Sequence, residues 1–243
     1  MMKIKHVIAA AALGTATMAP TVASADLSGN AGVMSQYLFR GLEQGPAAAA
    51  YGGLDYSHDS GFYAGTWAAT IGFASASGTS SEVDLYAGFS GGDAVTYDVG
   101  LIYYYYSEED EPDPGADPTN NTIEVYGSLG FGMFSLSAYY APDTYFAATN
   151  PDGSDAEGAY GIYGSMSAPL TDILAFDASV GLNGGEGNEF FAGPDEDQYI
   201  EYNVGVSAGL DNGFGFGFGF VGTDIEDDDP KLVVDASYSF DLM

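Results

Sequence analysis

The chain has 243 residues, with 35 Asp+Glu against 4 Lys+Arg and a formal net charge of −31, which excludes nucleic acid as a partner because phosphate binding needs a basic surface. It has no cysteine, so thiol chemistry, zinc fingers and iron–sulfur clusters are excluded too. High charge with few apolar residues would mean disorder, but 46% hydrophobic and 14% aromatic residues predict one folded domain.

Lys3, Lys5 and His6 make a positive start, Val7 to Met18 an apolar stretch too short to span a bilayer, and Ala23-Ser24-Ala25 a small-residue cleavage site. Residues 1–25 therefore read as a secretory signal peptide and 26–243 as the mature domain. No later apolar stretch is long enough for a membrane helix, so membrane residence would come from strands closed on themselves.

From Leu27 onward, apolar residues alternate with polar or small ones over about twelve segments of roughly ten residues. In the first, Leu27, Ala31, Val33, Tyr37 and Phe39 share an apolar face, and Ser28, Asn30, Gln36 and Arg40 a polar one. The third puts Tyr63, Trp67, Ala69, Ile71 and Phe73 on the lipid side, opposite Thr66, Ala68 and Thr70. In the fourth, Val83, Leu85, Ala87 and Phe89 oppose Glu82, Asp84 and Tyr86; in the tenth, Ile200, Tyr202, Val204, Val206 and Ala208 oppose Glu201, Asn203 and Ser207. The eleventh alternates Phe214, Phe216, Phe218 and Phe220 with Gly215, Gly217 and Gly219. A slip of one residue would carry carboxylates into hydrocarbon, at roughly 2–4 kcal/mol for the worst placed charges.

Connections alternate in length. Asp59-Ser60-Gly61, Gly91-Gly92-Asp93, Gly130 to Met133, Pro169 to Asp172 and Asp211-Asn212-Gly213 are tight turns, with long acidic stretches between them. A soluble β-sandwich also alternates its faces, but its strands are shorter and its connections have no reason to alternate. The expected fold is all-β: a transmembrane antiparallel β-barrel of about 12 strands, with short periplasmic turns, long acidic extracellular loops and both termini periplasmic. Tyr37, Phe39, Phe73, Tyr103, Tyr105 and Tyr140 then fall in an outer aromatic girdle, and Tyr56, Tyr63, Phe89, Phe131, Phe134, Tyr238 and Phe240 in an inner one. Trp67, near mid-strand, fits neither.

Little in the mature chain can carry chemistry. His58 is flanked by Ser57, Asp59 and Ser60, but sequence neighbours on a strand end face apart where a triad needs convergence. Gly213 to Gly219 lacks the Lys-Ser/Thr and the helix of a phosphate loop. Arg40, the sole arginine, faces the lumen expected to hold Asp55, Glu82, Asp84, Asp98, Glu124, Asp177, Glu201 and Asp235. It reads either as an eyelet charge facing carboxylates across a pore or as a structural ion pair. Acidic loops, with Glu108-Glu109-Asp110-Glu111, Asp113, Asp117, Asp152, Asp155, Glu157, Asp195-Glu196-Asp197 and the run Asp224, Glu226, Asp227, Asp228, Asp229, offer hard oxygen ligands for calcium or magnesium, without the spacing of a known calcium loop. Solvated acidic surface is the competing reading. No bound cofactor is expected.

The runs Ser35-Gln36-Tyr37-Leu38-Phe39-Arg40-Gly41, Gly61-Phe62-Tyr63-Ala64-Gly65-Thr66-Trp67, Glu82-Val83-Asp84-Leu85-Tyr86-Ala87-Gly88, Tyr97-Asp98-Val99-Gly100 and Glu124-Val125-Tyr126-Gly127 resemble the TorF-type (Gcw_chp) porin family of conserved proteobacterial proteins. The resemblance implies an outer-membrane barrel with a pore role in a Gram-negative bacterium, and no catalytic residues. The chain departs from it in the acidic insertion Ser107 to Asn120 after Tyr106. Its end, Tyr238 to Met243, alternates as a signal for the barrel-assembly machinery does but lacks the terminal aromatic. Lumen carboxylates and an acidic mouth lead to the expectation of a passive diffusion channel for small solutes that prefers cations, embedded in outer-membrane lipid. The alternative is a non-conducting structural or adhesive barrel acting through its loops; an enzyme is not expected.

Overall fold

In the computed structural model, residues 26–45, 48–71, 81–107, 120–193 and 196–243 are described. The signal-peptide reading, Phe73, the acidic cluster over 108–117 and Asp195 lie outside them.

Alternating sequence gives strands throughout: β1 (Asp26–Met34), β2 (Leu38–Phe39), β3 (Leu42–Glu43), β4 (Ala49–Ser57), β5 (Phe62–Thr70), β6 (Ser81–Gly92), β7 (Thr96–Ser107), β8 (Thr122–Phe131), β9 (Phe134–Thr149), β10 (Asp155–Pro169), β11 (Leu174–Gly184), β12 (Gln198–Gly209), β13 (Phe214–Thr223) and β14 (Lys231–Asp241), with one helix, α1 (Glu186–Ala192), after β11. All but β2 and β3 join in one closed antiparallel barrel of 12 strands, in which β1 pairs with both β4 and β14. Closure leaves no unpaired strand edge, the condition for crossing hydrocarbon with strands.

Turns of two to four residues close β4–β5, β6–β7, β8–β9, β10–β11 and β12–β13 at one end, as expected. The opposite end carries the longer connections, except that β9 and β10 run on for 16 and 15 residues and meet in a short turn. There the acidic segment at Asp152 and Asp155 caps a protruding hairpin rather than a long loop.

Outward positions are apolar. Phe214, Phe216, Phe218 and Phe220 are 46–48% exposed while Gly215, Gly217 and Gly219 point inward, and the fourth and tenth barrel strands, β6 and β12, keep the expected register. Tyr103, Tyr105 and Tyr140 are exposed toward the long-loop end, and Tyr56, Phe89, Phe131, Phe134 and Tyr238 toward the short-turn end.

Two strands depart from expectation. In β5 the register is inverted: Trp67 pairs with Asp84 and Ala69 with Glu82, so Tyr63, Trp67, Ala69 and Ile71 face the lumen instead of lipid, and Tyr63 leaves the inner girdle. The reason is that neither face of β5 carries a charge, so side-chain type alone does not fix it; pairing with the carboxylate-bearing face of β6 does. Trp67 escapes the girdle pattern because it is an inward residue. The second departure is β1, which ends at Met34, after which the chain turns into the barrel. Tyr37 and Phe39 therefore pack inside rather than at the outer interface, and Arg40 lies on an inserted loop rather than on the strand.

One device recurs around the inner wall. Tyr51, Tyr63, Tyr86, Tyr126, Tyr139 and Tyr163 each sit directly across the ladder from a glycine: Gly32, Gly88, Gly65, Gly100, Gly161 and Gly181 respectively. Each ring lies over its glycine, and the hydroxyl of most reaches a polar side chain on the strand beyond. Tyr51 thus donates to Asp235 Oδ2 at 2.6 Å, Tyr63 to Asp98 Oδ1 at 2.6 Å, Tyr86 to Asp55, and Tyr139 to Asn183 Oδ1 at 2.9 Å. The glycine is required sterically: a Cβ on Gly65 would stand 2.6 Å from the Tyr86 ring. Gly65→Leu should lift that ring, break its bond to Asp55 and cost about 1–3 kcal/mol, lowering the thermal midpoint in detergent by roughly 2–12 °C. Tyr86→Ala in the same molecule should remove most of the added loss; additive losses would show that the ring does not depend on the glycine.

Candidate functional site

The lumen is the site, and the segment after β1 organises it. Residues 35–45 turn inward as a small hairpin, β2 against β3, closed by Gln44 N–H donating to Tyr37 O at 2.9 Å. Its tip is Arg40-Gly41, with φ of 52° and 81°; positive φ at both central residues is the signature of a type I′ turn, which suits glycine and strains arginine.

This loop touches wall on every side. Tyr37 donates to Glu82 Oε1 on β6 at 2.5 Å and packs edge-on to Trp67, ring centroids 5.5 Å apart. Leu38 packs with Val221 of β13 and Val233 of β14. Phe39 meets Tyr104 of β7 and Phe146 of β9. Phe146 and Ala147 have φ of 48° and 57° where the β9–β10 register is irregular, a bulge that re-aims a side chain inward. Glu43 approaches Lys231 of β14 at 3.8 Å.

Arg40 reaches furthest. Its two terminal nitrogens donate to the two oxygens of Glu124 on β8 at 2.8 Å each, and one also donates to the Tyr145 hydroxyl. The guanidinium carbon lies 3.2 Å from the Tyr139 ring centroid, and the Arg40 carbonyl accepts from Tyr199 of β12 at 3.2 Å. Arg40 is 7% exposed and Glu124 1%. Of the two readings of Arg40, the geometry is that of a buried bidentate pair stacked on aromatic rings.

The other sequence candidates are placed as follows. Glu82, Asp84, Glu201 and Asp235 point inward and are buried around the loop. Asp55, Asp98 and Asp177 point inward nearer the short-turn end and are only half-buried, among Ser128, Ser137, Ser165 and Ser179; Asp177 accepts from Ser207 at 2.6 Å. The barrel is thus filled at its long-loop half and lined by small polar side chains at the other. Helix α1 adds to the filled half: Asn188 donates to the Tyr139 hydroxyl at 3.0 Å, and Phe191 packs edge-on to Tyr145.

His58 lies exposed at a turn with Nδ1 2.9 Å from Ser60 Oγ and accepting from Ser60 N–H, a turn-closing arrangement. On the loop after β13, Asp224 Oδ1 accepts from Ile200 N–H at 2.6 Å, Asp228 bonds Thr223 and Lys231, and Glu226, Asp227 and Asp229 are exposed. Among the described residues no three of His, Cys, Asp and Glu are grouped to share a metal ion.

The family model described as a bacterial protein of unknown function, Gcw_chp, matches residues 18–239. The chain belongs to the Gcw_chp family. That description assigns the family no activity, and no curated protein matches. Among solved structures, the Gcw_chp chain is similar to a KdgM porin (TM-score 0.53, 12% identity, 88% of this chain and 99% of that one), a NanC porin (0.54, 12%, 89% and 100%) and an outer-membrane channel from Pseudomonas putida F1 (0.54, 10%, 91% and 97%). At such identity the likeness shows the fold: that of outer-membrane porins.

The inserted loop, the tyrosine–glycine pairs, the β9 bulge and α1 are absent from the sequence reading. A signal for the loop exists: Arg40-Gly41, with glycine at the second central position between Leu38-Phe39 and Leu42-Glu43, is a two-residue hairpin pattern inside what reads as one long strand.

Proposed function

We propose that this Gcw_chp protein is an outer-membrane channel for passive diffusion of small solutes that prefers cations, with residues 35–45 as its constriction. One observation carries the reading: the eight candidate carboxylates face the lumen against Arg40 and, at the long-loop rim, Lys231, and both of these cations are already paired with carboxylates. Asp55, Asp98 and Asp177, half-buried among serines in the short-turn half, support a wet lumen there, since a dry one would make each of these charges costly. The short turns then face the periplasm, the acidic loops face outward, where they also offer oxygen ligands to calcium or magnesium, and the last strand engages the barrel-assembly machinery. A KdgM porin has been solved in complex with disordered oligogalacturonate, a polyanion; the acidic lumen here repels such a solute.

The test is the reversal potential of single channels in a salt gradient. Cation preference should be strong at about 0.1 M salt and fade toward 1 M, as the Debye length shrinks from about 10 Å to 3 Å. Anion preference would overturn the selectivity. The filled long-loop half favours a second reading, a non-conducting structural or adhesive barrel, and no conductance from correctly folded protein would select it.

A further inference from the structure

Arg40 occupies a pocket with the parts of a guanidinium receptor. The wall supplies a carboxylate presented end-on, Glu124, matching both terminal nitrogens at 2.8 Å, a ring face beneath the guanidinium plane, Tyr139 at 3.2 Å, and an acceptor hydroxyl, Tyr145. All three stand on β8 and β9 and are held from elsewhere: Glu124 by Tyr104 at 3.3 Å, Tyr139 by Asn188 and Asn183, and Tyr145 by Phe191. The occupant, by contrast, comes from a loop that adopts a left-handed backbone at Arg40 to deliver it. A preorganised host and a strained guest that share no element are separable.

We propose that Glu124, Tyr139 and Tyr145 form a binding site on the lumen wall for solutes bearing a guanidinium group, with Arg40 its occupant in cis. A planar fork satisfies both Glu124 oxygens while stacking on Tyr139; an ammonium of equal charge does neither, so the site discriminates among cations that the acidic lumen as a whole attracts alike. Binding does not depend on conduction, so it is testable apart from the channel reading.

Arg40→Gly empties the pocket while leaving a residue suited to the positive φ of the turn. In detergent, millimolar methylguanidinium should raise the thermal midpoint of this variant by several degrees more than methylammonium or sodium chloride at equal ionic strength, in proportion to the logarithm of its concentration once the site is saturating. The parent, its site filled, and the double variant Arg40→Gly/Glu124→Gln should respond to all three salts alike. Equal responses in Arg40→Gly, or a methylguanidinium-specific response that survives in the double variant, would overturn the proposal. If Arg40→Gly does not survive purification, the yield of folded barrel on refolding with each salt reads the same competition, and no advantage for methylguanidinium over methylammonium is then the overturning result.

Discussion

Glu124→Ala should lower the stability of the folded barrel by about 3–5 kcal/mol, the usual consequence of removing one partner from a buried pair and leaving the other charge uncompensated. For a chain of this size that is a fall of roughly 6–20 °C in thermal midpoint. Arg40 is 7% exposed, and its remaining contacts, the ring of Tyr139 and the hydroxyl of Tyr145, supply no counter-charge. Arg40→Ala/Glu124→Ala should be less destabilised than the sum of the single variants, because the double variant strands neither charge. Trp67, the only tryptophan, reports the local event: it packs on Tyr37 of the same loop, so its emission should shift to the red in Glu124→Ala as the loop loosens. A midpoint within 1 °C or so of the parent would show that Glu124 does not hold the loop.

The second large effect is on conduction. Gly41, at the loop tip, lies against Thr223 of β13: a Cβ on Gly41 would stand 2.5 Å from Thr223 Cγ2. In a chain without cysteine, Gly41→Cys/Thr223→Cys is the only thiol pair, and the positions are close enough for a disulfide to form. If ions pass only when the loop moves aside, the oxidised variant should lose nearly all conductance and regain it with reductant, while acrylamide quenching of Trp67 rises on reduction. Full conductance with the disulfide in place would show a path around a stationary loop. Silence in both redox states, with the parent conducting, would trace the loss to the substitutions themselves.

The barrel was readable because hydrocarbon outside and carboxylates inside impose opposite demands on alternate residues. β6 and β12 obey both demands, and their registers follow from the pattern alone, while β13 is fixed by the contrast of phenylalanine outside with glycine inside. Failure came where one demand lapsed. β5 has no charge on either face, so its aromatic residues read as lipid-facing when they serve an interior packed with other aromatics. In residues 35–40, Tyr37 and Phe39 keep the apolar period of β1 and Gln36 and Arg40 its polar one, yet that spacing is equally satisfied by a loop inserted into an aromatic interior, and Leu38, on the polar parity, breaks it. Lumen carboxylates were legible singly, but the tyrosine partners of Asp55, Asp98 and Asp235 lie two strands away, at separations of 31, 35 and 184 residues. Such pairs depend on ring positions across a glycine, which alternation does not encode.

Finally, the loop that fills the lumen stands near the start of the chain, whereas its anchors come late. Arg40 meets Glu124, Tyr145 and Tyr199 across 84, 105 and 159 residues, and Leu38 meets Val221 and Val233 only once the last strands are in place. Contacts of such separation carry a large loop-closure entropy. The hairpin cannot complete its seat before β12, β13 and β14 are present, so the filling of the lumen draws on the same last strands that close the barrel against β1.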